Sequence, residues 1–163
     1  MNTARHIALP LFVAAAALSL SACKGPPDQP AATASNGPET KPGVKVTDAR
    51  LVLPAVAGNP GAAYLVLDNQ SKSVISVAAV VIEGAGKTEL HTAAMKVVDH
   101  AEAEPGTALT FAPGQLHVMV YSVESKLVAG GETELTVVFS DGDKLSVPAK
   151  VQGAGEAAMG GKP

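Results

Sequence analysis

The sequence has no tryptophan, aromatic residues make up 3% of it, and it holds a single cysteine. Each scarcity excludes something. So few rings cannot build a carbohydrate platform or a stacking surface for single-stranded nucleic acid, and the core must be made of Val, Leu and Ala. One cysteine cannot form an internal disulfide or a multi-thiolate cage, and a blue-copper centre would claim that one thiolate as a ligand. Basic residues do not exceed acidic ones: 12 Lys and Arg stand against 15 Asp and Glu. This gives no electrostatic footprint for nucleic acid. No H-E-x-x-H, G-x-S-x-G or phosphate-loop motif occurs, so the common hydrolase and nucleotide sites are missing. Asp99 beside His100 is not a triad, since neighbouring residues supply neither the nucleophile nor the geometry. An enzyme is not expected.

The cysteine itself has an assignment. "MNTARH" is a short positive region and "IALPLFVAAAALSLSA" an apolar run that ends at Cys23. Its position and its Ala-rich, cleavage-like end read as an export signal rather than a membrane span. Leu20-Ser21-Ala22-Cys23 resembles a bacterial lipobox, in which the cysteine is lipidated and becomes the first mature residue. Residues 1–22 are then the signal peptide, and acyl chains on Cys23 hold the protein at a membrane facing the periplasm. Lys24 is not the aspartate associated with inner-membrane retention, which leaves outer-membrane sorting open. An ordinary secretory signal leaving a free thiol is the alternative.

Residues 23–43 follow as a tether: "KGPPDQPAATASNGPETKPG" holds five prolines and three glycines. A flexible chain of that length reaches roughly 25 Å, and Pro-rich stiffness lengthens it. Residues 153–163 read as a frayed tail. Between them, residues 44–152 form the one folded domain. Short apolar or alternating runs predict strands near 45–53, 62–68, 74–82, 87–95, 107–111, 115–121, 133–139 and 144–151. Their separators carry turn chemistry, with Asp141-Gly142 suited to a tight hairpin. "SVAAVVIEGA" has the alanine content of a short helix, but its valines and isoleucine favour a strand. Pro148 cannot donate to a ladder, which predicts an edge position for the last strand. About eight short strands at this spacing give an all-β Greek-key sandwich or barrel.

Outside the signal and the tail, the histidines and methionines concentrate between 91 and 119. His117 and Met119 in "QLHVMVY" share one face of a strand, because side chains alternate. His91 and Met95 in "ELHTAAM" have an even offset and share a face if that strand stays extended to 95. Two such pairs would make a four-ligand N2S2 set that prefers Cu(I), since a thioether is a soft, neutral donor. Taken singly, Met95 and Met119 also suit core gap-filling, and His91 and His117 suit ordinary satisfied or surface positions. His100, in "VVDHAEAEPG", reads as an exposed loop residue, and Met159 as a tail residue.

From Val46 to Val151 the domain resembles the periplasmic PCuAC-type copper chaperones. "VTDAR" and "GNPGAAYLVLDN" match the family's opening strand and Gly-rich loop, "TELHTAAM" its histidine segment, and "PGTALTFAPGQLHVMVY" its H-x-M segment. "GGETELTVVFSDGDKLSVPAKV" matches its closing hairpin. The resemblance implies a cupredoxin-like sandwich that binds Cu(I) through two histidines and two methionines. Carried over by position, these are His117, Met119, His91 and, as the fourth, Met95. The segment after His91 is shorter than in the family and holds no later methionine. Met95 aligns either by local context or by its 21-residue spacing to His117, and His100 is the alternative ligand. Arg50 stands where the family has tryptophan. The resemblance further implies delivery of copper to assembly of the CuA centre of cytochrome oxidase or to other copper-homeostasis partners. A copper buffer without a dedicated recipient, or a non-metal interaction module, are the competing readings.

Overall fold

The structure, a computed structural model, describes residues 40–156. The signal segment, Cys23, the tether before residue 40 and Met159 lie outside the described residues. The described chain is all-β. Its strands are β1 (Val44–Val52), β2 (Gly61–Asn69), β3 (Ile75–Ile82), β4 (Ala85–His91), β5 (Val97–Val98), β6 (Ala101–Ala103), β7 (Thr107–Phe111), β8 (His117–Val123), β9 (Glu132–Phe139) and β10 (Lys144–Gln152).

They join in one sheet in the order β5-β4-β8-β2-β1-β10-β9-β3-β6, with β7 also paired to β2. Alternation drives this. In β2, Ala63, Leu65 and Leu67 point inward and are buried, while Ala62, Tyr64 and Val66 between them are half-buried. The inward residues of β1, β2, β3, β8, β9 and β10 meet in a single apolar cluster, so the sheet wraps around one core. That core is aliphatic except for Phe111 and Phe139. Burying each such side chain stabilises the fold by roughly 1.5–3 kcal/mol relative to exposure.

Several expectations change in detail. The strands number ten rather than about eight, because β5 and β6 span only two and three residues. The strand expected over 87–95 stops at His91, where a tight hairpin turns the chain into β5. Pro148 does not mark an outer strand, since β10 lies between β1 and β9. The proline is tolerated because β1 pairs with β10 only at Arg50–Val52 against Lys150–Gln152, beyond Pro148. No ladder bond on that side needs its missing N–H.

One buried polar group anchors the loops after β2. The Asn69 side chain donates to the carbonyls of Ser73 (2.8 Å) and Ala103 (2.9 Å) and accepts from the Ser71 backbone and hydroxyl. It is 1% exposed with its donors and acceptor all used, as a buried amide requires.

Candidate metal centre

β4 and β8 run antiparallel with His91 opposite His117, Glu89 opposite Met119 and Lys87 opposite Tyr121. Because strand side chains alternate, these six form a strip on the outer face, while Leu90, Val118 and Val120 enter the core. The even spacing seen in "LHVMVY" therefore has the consequence expected of it: His117 and Met119 share a face. The same rule places Glu89 beside His91.

The two imidazoles are 7% and 8% exposed, with ring centroids 5.8 Å apart and planes at 39°. Each ring is held at one nitrogen. His117 Nδ1 lies 2.8 Å from the Gln115 carbonyl, which can only accept, so Nδ1 carries the proton. His91 Nε2 lies 3.3 Å from Glu89 Oε2, while its Nδ1 is buried with no hydrogen-bond partner. An unpaired buried polar atom is costly unless something occupies it.

Glu89 is itself held in place. Lys87 Nζ is 2.6 Å from its carboxylate, and Tyr121 stands on β8 opposite Lys87, diagonal to Glu89. Lys87 foremost, then His91 and Tyr121, hold the Glu89 carboxyl at about 2, well below the ordinary range. It is an anion, and so an acceptor only, at neutral pH.

Local sequence explains both loops that deliver the histidines. Before β8, Pro113-Gly114 forms a type II turn, with Gly114 at φ 74° and the Gln115 N–H bonded to the Ala112 carbonyl. That turn sets the Gln115 carbonyl beside the His117 ring. After β4, a three-residue loop, Ala93-Ala94-Met95, is closed by Thr92 N–H to the Lys96 carbonyl and by Met95 N–H to the Thr92 carbonyl, both 2.9 Å.

The structure thus brings His91, His117 and Met119 to one face. Met95 lies at the hairpin tip, 57% exposed and at φ 59°, and not on the strand. His100 lies between β5 and β6, exposed, with its Nε2 3.8 Å from Glu102 and no contact to either site histidine. Beyond His117 along the same outer row stands Tyr64, carrying the Arg50 guanidinium 5.0 Å from its ring. The sequence reading missed Glu89 and the Gln115 carbonyl. The first is legible from its two-residue offset to His91, the second from no side-chain pattern.

Among the described residues, no three His, Cys, Asp or Glu side chains converge as a metal cage. The donors on offer are two neutral imidazoles and thioether sulfur, a soft set that suits Cu(I) better than Zn(II) or Mg(II).

The profile of the LpqE-like family, described as "Putative lipoprotein LpqE-like", matches residues 44–151. The chain belongs to this family. The description is of a lipoprotein, a class attached to the cell envelope. The LpqE-like domain superposes on the copper-bound PCuAC domain from PmoF2 with a TM-score of 0.63 at 20% identity, over 72% of this chain and 98% of that one. The apo PCuAC domain from PmoF1 gives 0.63 at 22% identity, over 72% and 99%. Cu(I)-DR1885 from Deinococcus radiodurans gives 0.57 at 25% identity, over 74% and 83%. The fold of the LpqE-like domain is therefore that of PCuAC domains, the cupredoxin-like sandwich its sequence implied. No curated protein matches the chain by sequence.

Proposed function

We propose that this LpqE-like protein is an extracytoplasmic Cu(I) carrier, exported by residues 1–22 and lipid-anchored through Cys23. The observation that carries the reading is the His91–His117 pair, two buried, facing rings that each keep one nitrogen free of protein partners beside Met119. The likeness to Cu(I)-DR1885 at 25% identity supports the choice of metal. His91, His117 and Met119 are the ligands on the strand face. Met95, one short hairpin from His91, is the fourth by movement of an exposed tip, and His100, held towards Glu102, is the alternative.

Such a set binds without chemistry on the cargo. Neutral nitrogen and thioether donors hold Cu(I) yet yield it by ligand exchange to thiolates, so the protein carries copper and is no enzyme. The recipients that fit are thiolate-bearing proteins, such as those assembling the CuA centre of cytochrome oxidase. A tethered domain could reach them from the membrane surface.

An anaerobic Cu(I) competition titration tests the reading. One equivalent should bind the wild type, and a His117→Ala, Met119→Ala double variant should lose it. Equal binding by both would defeat the proposal. The short edge strand β5, with exposed Val97, favours a second reading as a protein-interaction module. That reading gains if wild type takes up no Cu(I). Transfer to a thiolate acceptor separates a chaperone from a buffer.

A further inference from the structure

Glu89 is not needed as a ligand, yet two groups fix its carboxylate beside the site: the Lys87 ammonium and His91 Nε2. The Gln115 carbonyl plays the matching part for His117. Both anchors lie two residues before the histidine they hold. Because β4 and β8 are antiparallel, they lie on opposite sides of the His91–His117 row.

A neutral imidazole has one N–H and one lone pair, and the partner of one nitrogen decides the role of the other. A carboxylate at Nε2 of His91 leaves the lone pair on Nδ1; a carbonyl at Nδ1 of His117 leaves it on Nε2. We infer that Glu89 and the Gln115 carbonyl impose opposite tautomers on the two rings, so that His91 ligates through Nδ1 and His117 through Nε2. The buried, partnerless Nδ1 of His91 is the atom this assignment requires to be open. Glu89 is then a positioning residue, acting on the metal through His91.

The inference rests on the carrier reading for its metal, but its tautomer half concerns the metal-free protein. Nuclear magnetic resonance of the protein with isotope-labelled histidine nitrogens reads both halves. In the apo protein, His91 should be protonated at Nε2 and His117 at Nδ1. On adding Cu(I), the large shifts should fall on His91 Nδ1 and His117 Nε2. Glu89→Ala should mix the tautomers of His91 and weaken Cu(I) binding about 10–100-fold, as loss of an outer-shell partner does. Glu89→Gln keeps an acceptor and should restore the tautomer and most of the affinity.

An apo His91 protonated at Nδ1 overturns the inference, as does a Cu(I) shift on Nε2 of both rings. An unchanged His91 tautomer in Glu89→Ala removes Glu89 from its role. If Cu(I) shifts no histidine nitrogen, the carrier reading fails and the ligation half falls with it, whereas the apo tautomers are judged separately.

Discussion

The β4–β5 and β9–β10 hairpins are the same turn built from different residues. In one, Thr92 N–H bonds the Lys96 carbonyl and Met95 N–H the Thr92 carbonyl; in the other, Phe139 N–H bonds the Asp143 carbonyl and Gly142 N–H the Phe139 carbonyl. The last loop residue is left-handed in both, Met95 at φ 59° and Gly142 at φ 91°. Glycine takes that conformation freely and a side chain does not. The β9–β10 turn therefore has the residue that its geometry demands. The β4–β5 turn, next to His91, has one that its geometry resists, with a large apolar side chain left in solvent. If Met95 is the fourth ligand proposed above, its sulfur rather than the backbone accounts for a methionine at that position.

The sharpest way to separate the two hairpins is at the metal. His91→Ala should reduce Cu(I) affinity by more than the roughly 10–100-fold cost of losing an outer-shell partner. Its apo urea midpoint should change little, because the deletion also removes an unsatisfied nitrogen. A large apo destabilisation would make His91 a structural residue instead. Next in size, Gly142→Ala should destabilise the domain by about 1–2 kcal/mol in urea unfolding, the penalty of a left-handed L-residue. A Cβ there meets nothing within 4 Å, so the effect isolates the backbone.

The mirror substitution, Met95→Gly, should stabilise the apo domain by roughly 0.5–1 kcal/mol, the relief of left-handed strain less the flexibility glycine adds. The same variant should bind Cu(I) more weakly if Met95 is the fourth ligand. Unchanged affinity would remove Met95 and return attention to His100.

The smallest effect is in acid. Lys41 Nζ lies 2.7 Å from Asp143, pairs with Asp141 and sits 4.7 Å from the Phe139 ring, so the β9–β10 turn is clamped to the chain entering β1. Its partner Lys41, first, and the Asp143 backbone hold the Asp141 carboxyl below its usual 3.8. A lowered folded value means stability present in full above the unfolded value and lost as pH falls through the folded one. Asp141→Asn should therefore flatten the acid side of the stability profile below about pH 4. It should leave Cu(I) affinity untouched. A profile unchanged in acid would show the clamp to be energetically silent.

The sequence made the long alternating strands legible, β2 and β9 above all, because half-buried strands display their period. Strands as short as β5 and β6 carry no period to read. The hairpin at Met95 was hidden for a related reason. "TAAM" has none of the Gly, Pro, Asn or Asp that announce a turn, so the strand was expected to continue and to carry Met95 on the face of His91. Pro148 misled in the opposite way: it reports the absence of one ladder bond, and β10 lacks its β1 partner only locally. At the site, the clustering of His91, His117 and Met119 was visible as spacing. The Gln115 carbonyl was not, since every residue has one and only the turn at Pro113-Gly114 aims it.

β7 and β8 both lie along the same side of β2, with Phe111 opposite Leu65 and Val118 opposite Ala63. Only Tyr64 separates those two rungs on β2, whereas residues 112–116 leave and return on the other side. To β2 the two strands are one strand with an excursion. Insertions or deletions within the excursion leave both ladders in register, while a single-residue slip inside β8 would turn His117 to the opposite face. A change of length there can thus remodel the rim beside His117 without rewriting the barrel beneath it.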